Sequence, residues 1–326
     1  MANTAEYEPS EHVARFLDDQ ERFMAEQTAK GRRTDMKHFE QWVEQNDRVD
    51  GITDVGPRDV ESFVGDQNSE GYAGGTVNNR YYSVKKFYAF LAGERDGPID
   101  ETPFEHVNRD KLSDMLNGTK KAEATREEIS YLTREQVDTL ADNVPEPRLR
   151  NELIVRLMFQ TGVRQGELVG IRLEDIDRDD RSIRIYATKT DTNRTVFYQQ
   201  DLDFLLDQWI DGGYRSSSMY AAESPYLFVS RQSEQFTDHK VNWVVKEAAD
   251  EADIQSAMYE DAGGTERNKI TSHVLRHSHA VAALTRPNKK DVRTVQKHLG
   301  HADISMTQRY LDITDDDVQN EYQRGL

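Results

Sequence analysis

The chain has 326 residues, enough for two domains with cores of their own, and no apolar run long enough to cross a bilayer. Its first residues lack the basic start and apolar centre of a signal peptide, so a cytoplasmic location is expected, and the absence of cysteine excludes disulfides, thiolate metal sites and cysteine nucleophiles. A net charge of −18 repels duplex DNA, yet 28 arginines against 14 lysines, with acids dispersed between apolar positions, point to salt adaptation and a halophile source.

Residues 1–10 read as a tail, and 11–117 are helical throughout. Val13, Phe16 and Leu17 open an amphipathic segment that continues through Phe23 and Met24. The run 30–34 reads as a basic turn, with Thr34 as N-cap of a helix carrying Met36, Phe39, Trp42 and Val43. Pro57 and Asp59 start a short helix with Val60, Phe63 and Val64. After a loop at 71–75, Thr76 is expected to cap a helix with Val77, Tyr81, Val84, Phe87, Tyr88 and Leu91 on its apolar side. Asn79, Arg80, Lys85 and Lys86 form its other side. That strip fits a phosphate backbone and fits an ordinary wet face equally well. Arg32, Arg33, Arg80, Lys85 and Lys86 are therefore the candidate nucleic-acid contacts of this half. Gly97, Pro98 and Pro103 interrupt the helical pattern, and 118–130, which holds almost nothing able to build a core, reads as an interdomain linker.

The second half opens at Thr133, an N-cap with Gln136 at the capping-box position. A strong helix follows over 148–160, with Leu153, Ile154, Leu157 and Met158 on one side, and Gly162 stops it. A short helix begins near Arg164 and Gln165. The β-like runs 183–186 and 195–198 predict a hairpin with its tip near Asp191. Residues 202–209, 241–249 and 274–284 read as helices, with a flexible loop around Gly263 and Gly264.

Several residues here invite chemistry. Arg164 sits at a helix start, where backbone N–H groups also face anions, and a guanidinium pairs with phosphate oxygens in a way lysine does not. A surface salt bridge is the plainer alternative, and Glu167 is either its orienting acid or a helix-surface acid. His273 and Arg276, at i and i+3, share a helix face. His277 lies beside that face and fits a satisfied buried histidine. Zinc held by His273, His277 and His279 conflicts with the surrounding arginine and lysine and with the lack of a neighbouring acid. Residues 173–180 superficially match a calcium loop, but Asp180 and Tyr186 stand where Gly and Glu are required, leaving a solvated turn. From His273 to His301 six Lys and Arg face a single acid, Asp291. In so acidic a chain that contrast marks a local anion site.

The order of these features is more telling than any one of them: Arg164, Lys189 on the hairpin, His273-x-x-Arg276, Leu299-Gly300-His301, then Tyr310. It resembles the active site of the tyrosine recombinase (phage integrase) family, in its Xer-like and archaeal-type members, over residues 131–310. The resemblance implies a mainly α fold with a small β-hairpin or sheet. A helical core-type DNA-binding domain (11–117) would precede a mixed α/β catalytic domain (131–310) and a C-terminal tail helix (311–326).

It also implies a site-specific recombinase that cleaves and rejoins DNA through a 3′-phosphotyrosyl intermediate without metal, ATP or other cofactor. Arg164, Arg276 and His301 would bind the phosphate, Tyr310 would attack it, His273 would manage the proton and Lys189 would protonate the leaving 5′-hydroxyl. The implied partners are target-site double-stranded DNA and further copies of the chain, in a tetrameric synapse joined through the tail. The alternatives are a type IB-like topoisomerase and a DNA-binding protein with a silent site. Family hairpins place glycines around the lysine where this chain has Thr188 and Thr190, and the acidic segment 247–267 has no counterpart in the expected pattern.

Overall fold

A computed structural model describes residues 7–24, 26–93, 97–116, 130–186, 193–260, 266–285 and 289–311. Two compact units divide the chain. The first takes Met1–Arg126 with Glu260–Thr265, and the second takes Glu127–Tyr259 with Glu266–Leu326. The expected linker 118–130 falls almost wholly outside the described residues.

The first unit is helical: α1 (Glu11–Phe23), α2 (Glu26–Glu44), α3 (Pro57–Ser69), α4 (Gly74–Gly93) and α5 (Arg109–Leu116). Its core is aromatic. Phe16, Phe39, Phe63, Phe87 and Tyr88 are fully buried and meet edge to face, Phe39–Phe63 at 5.1 Å and Phe87–Tyr88 at 5.1 Å between centroids. Tyr88 satisfies its hydroxyl by donating to the Ile52 carbonyl at 2.6 Å. Proline at the first position of α3, with Asp59 accepting from the Gly56 amide at 2.9 Å, starts that helix as expected.

Two expected boundaries move. Residues 30–34 are not a turn, because α2 runs through them. Lys30 pairs with Glu26 one turn back, and Thr34, instead of capping, returns its hydroxyl to the Lys30 carbonyl at 3.1 Å. The next shift is at α4, which starts at Gly74, so Thr76 lies inside its first turn with its amide on Ala73.

The candidate basic contacts also separate. Arg80 is 4% exposed, turned inward onto Gln67 and over the Tyr72 ring at 4.0 Å, so it does not belong to the exposed strip. Arg32 is likewise drawn inward, onto Gln20 and the Phe16 ring. Arg33 lies over Tyr7, while Lys85 and Lys86 stand exposed.

In the second unit, α6 (Arg134–Asp142) begins at the expected Thr133–Gln136 capping box. Helix α7 (Arg148–Thr161) is the centre of the core, with Leu153, Ile154, Val155, Leu157 and Met158 all withdrawn from solvent. Around it lie α8 (Gln165–Gly170), α9 (Asp203–Ile210), α10 (Asp238–Glu251) and α11 (Ser272–Leu284), followed by α12 (Val292–Leu299) and the single turn α13 (Ser305–Gln308). A three-stranded antiparallel sheet in the order β1 (Ile176–Asp177), β2 (Ser182–Ile185), β3 (Arg194–Phe197) pairs Ile183 with Val196, both buried in the core.

The expected hairpin is therefore β2–β3, and its tip at 187–192, which includes Lys189, lies outside the described residues. Strand β1 was not foreseen. It occupies part of the acidic run read as a turn, and the turn itself is narrower, closed by the Asp180 amide on Asp177 at 2.9 Å. A second unforeseen ladder, β4 (Ala257–Glu260) with β5 (Glu266–Asn268), flanks the Gly263–Gly264 region, which is itself outside the described residues. The tail 312–326 is outside them as well.

Candidate active site

The site starts at the end of α7. Gly162 adopts a left-handed conformation (φ 64°), which stops the helix and turns the chain so that Arg164 becomes the N-cap of α8. Glu167, in the first turn of α8, accepts from the Arg164 amide at 2.8 Å and from its guanidinium at 3.0 Å. The other approach to Glu167 comes from the sheet. Arg194, first residue of β3, donates both terminal nitrogens to its two carboxylate oxygens, at 2.9 and 2.7 Å.

Burial alone would raise the Glu167 pKa. The bonds from Arg194 and the Arg164 amide outweigh it and hold the carboxyl at about 2. Glu167 is thus a fixed anion that orients Arg164.

Arg276 projects from the first turns of α11 into the interior, 4% exposed. One terminal nitrogen donates to the Gly162 carbonyl at 2.5 Å and the other to the Leu299 carbonyl at 2.7 Å, tying the ends of α7 and α12 together. Burial, then repulsion from Arg164, pushes its pKa down to about 9. Arg194 reaches the same helix end, its Nε donating to the His298 carbonyl at 2.8 Å.

Gly300 ends α12 left-handed (φ 68°) and delivers His301, which is buried with Nδ1 at 2.8 Å from the Thr307 hydroxyl. The turn α13 then brings in Tyr310, 5% exposed. Its ring lies parallel to His301 with centroids 6.3 Å apart, and its hydroxyl is 2.7 Å from Nδ1 of His277. Burial raises the Tyr310 pKa while Arg276, Arg309 and Arg164 pull against it. Burial, then Arg276, Arg164 and Arg194, holds His301 at about 4. Arg164, Arg276, His301 and Tyr310 therefore share one electropositive site.

His273 is placed differently, exposed on α11 one turn before Arg276. Nδ1 of His277 faces Tyr310, whereas Nδ1 of His279 faces the Phe159 carbonyl at 2.8 Å. His279 instead stacks on His298 at 5.0 Å, and Nε2 of His298 meets the Thr161 carbonyl at 3.0 Å.

Two residues of this site carried no decisive signal in the sequence. His277 looked like a core histidine. Arg194 passed unnoticed, although its position at the head of the second hairpin strand, facing an acid three residues after Arg164, is the pattern to search for.

The profile of the Phage integrase family matches residues 130–317. The chain belongs to this family, the tyrosine recombinases. A second profile, the N-terminal SAM-like domain of phage integrases, matches residues 13–95. Among curated relatives, the tyrosine recombinase XerC of Roseiflexus sp. is 30% identical over 309 residues, covering 93% of this chain and 88% of that protein. XerA of Pyrococcus furiosus is 27% identical over 271 residues, covering 82% and 80%.

The fold agrees. XerH bound to its difH substrate superposes with a TM-score of 0.66 at 15% identity, covering 90% of this chain and 78% of that one. A lambda integrase dimer on a core site gives 0.62 at 14%, covering 92% and 75%. This chain is a Xer-like, tyrosine-type site-specific recombinase, an enzyme that binds DNA target sites and cleaves and rejoins the strands. No helix among the described residues is long and apolar enough to cross a membrane.

Proposed function

We propose that Tyr310 is the nucleophile of this recombinase and forms a 3′-phosphotyrosyl bond with the cleaved strand. The observation that carries the proposal is the docking of Tyr310 against His301 and His277, within the field of Arg164 and Arg276. A phosphodiester resists attack because its own charge repels nucleophiles. Arg164 and Arg276 neutralise the non-bridging oxygens and stabilise the added charge of the pentacoordinate transition state, and His301 adds a hydrogen bond. The family resemblance assigns His273 to proton management at this step, and Lys189 protonates the departing 5′-hydroxyl. Rejoining is the reverse reaction with a partner strand, so neither ATP nor metal enters.

The working unit is assigned as a tetramer on DNA joined through residues 311–326, with a core-binding domain at 11–117, a linker at 118–130 and a catalytic domain at 131–310. The acidic, arginine-rich composition supports a halophilic setting, checked by a melting temperature that rises in molar KCl.

The test is a suicide DNA substrate that traps covalent adduct. The wild type forms adduct in excess chelator, and Tyr310→Phe forms none while binding DNA within a few-fold of wild type. Adduct from the Phe variant would transfer the role to another tyrosine, Tyr322 being nearest in sequence. No adduct from the wild type would favour a silent site. Relaxation of supercoils by a single protomer, without strand exchange, would favour the topoisomerase reading.

A further inference from the structure

The proton of the attacking tyrosine needs a destination, and the spacing of the motifs offered His273 for it. The geometry points to His277 instead: we infer that His277 Nδ1 accepts the Tyr310 proton as the phenol attacks phosphorus, making His277 a catalytic residue. The inference rests on Tyr310 being the nucleophile.

Three observations support it. Nδ1 of His277 is 2.7 Å from the Tyr310 hydroxyl, within direct transfer distance, and the two rings are 5.6 Å apart between centroids. His273, by contrast, is exposed on α11. The neighbouring histidines supply an internal comparison. His279 and His298 each point a ring nitrogen at a backbone carbonyl, which accepts only, so those nitrogens must carry hydrogen and are used as donors. His277 faces a hydroxyl. With its own hydrogen on Nε2, its Nδ1 lone pair is directed at the Tyr310 proton.

The electrostatics keep that lone pair available. Burial, with His273 and Arg276 on its own helix and Arg309 beside Tyr310, holds His277 at about 4, so the ring is neutral at ordinary pH. While the site is empty the proton stays on Tyr310, whose burial favours the phenol. A phosphodiester seated among Arg164, Arg276 and His301 brings compensating negative charge, which makes an imidazolium at His277 less costly.

In the step, the Tyr310 Oη–H bond breaks and its proton bonds to Nδ1. The Oη–P bond forms and the P–O5′ bond breaks, and the leaving oxygen takes a proton from the general acid on the opposite side. Rejoining runs the same transfers backwards, with His277 returning the proton to the departing tyrosine.

The experiment measures single-turnover adduct formation on the suicide substrate from pH 5 to pH 9 for wild type, His277→Asn, His277→Ala and Tyr310→Phe, with DNA affinity measured alongside. Wild type should be nearly flat from about pH 6 upward. Both His277 variants should bind DNA normally yet lose roughly 100-fold or more at pH 7, the usual scale of general-base catalysis. Their rates should then climb about tenfold per pH unit as solvent base replaces the imidazole.

A uniform loss with the wild-type pH profile would make His277 merely structural and overturn the inference. Faster adduct formation by the variants would identify the contact as a latch on the resting tyrosine, and would also overturn it. Adduct from Tyr310→Phe would instead show that the nucleophile assignment had failed, which is a separate result.

Discussion

Arg194 and Glu167 meet through two parallel hydrogen bonds of 2.9 and 2.7 Å, with side chains only 6% and 5% exposed. The same carboxylate holds Arg164 at 3.0 Å. The guanidinium assigned to the phosphate is thus oriented by an acid that is itself fixed from the sheet. Breaking a buried pair from one side leaves an uncompensated charge, typically costing about 3–5 kcal/mol.

Glu167→Gln should therefore lower both stability and adduct formation, the latter because Arg164 loses its alignment. The pH dependence has a definite sign. The folded pKa of about 2 lies below the ordinary 4.5, so the contribution of the carboxylate is fully present above about pH 4.5 and is lost as pH falls toward 2. The melting-temperature gap between wild type and Glu167→Gln should be widest near neutrality and should close across that acid window. A gap that stays constant down to pH 2 would contradict the ion-pair account.

The basic residues of the first unit should divide into two behaviours. Lys85 and Lys86 are exposed, so replacing either with Ala should leave the melting temperature unchanged. If each neutralises one phosphate, each change should weaken DNA binding similarly on all sequences and reduce the salt slope by about one. Arg80→Ala should do the opposite. It removes a buried guanidinium from Gln67 and Tyr72, at a cost on the order of 1–3 kcal/mol in fold stability, with no change in the salt slope beyond that of unfolding. Parallel salt titrations and thermal unfolding separate the two cases.

What the sequence disclosed and what it withheld have a common physical basis. Thr133 with Gln136, and Gly162 after α7, act through bonds to residues within a turn or so, and both were legible. The order of Arg164, Arg276, His301 and Tyr310 was legible because the family resemblance supplied the spacing. Arg194 meets Glu167 across 27 positions and His277 meets Tyr310 across 33, and no local pattern announces either contact. Strand β1, at two residues, is too short to show alternation. The basic run 30–34 misled for a different reason. Gly31 and a charge cluster suggest a turn, but an i,i+4 ion pair and the apolar face on either side carry α2 straight through.

The glycines that end α7 and α12 offer a final test, because their surroundings differ. Both adopt left-handed backbone, so alanine at either pays the steric cost of that conformation, about 1–2 kcal/mol. At Gly162 a methyl group would also sit 2.6 Å from Leu299 Cδ2 and 2.8 Å from the His279 ring. Both neighbours are packed in place, and the Leu299 carbonyl takes a bond from Arg276, so the strain reaches the site. At Gly300 the nearest atoms belong to Arg194, at 3.1 Å, and are held there by Glu167 and the His298 carbonyl. Gly162→Ala should therefore lower the melting temperature more than Gly300→Ala. Combination with Arg194→Ala should distinguish them further. Removing Arg194 opens space for a methyl at Gly300, so Gly300→Ala should then cost only its backbone penalty, whereas the cost of Gly162→Ala should be unchanged. Thermal unfolding of the four single and double variants against wild type and Arg194→Ala measures both couplings. Equal coupling of Arg194 to the two glycines would show that the ends of α7 and α12 respond as one rigid block rather than through the contacts named here.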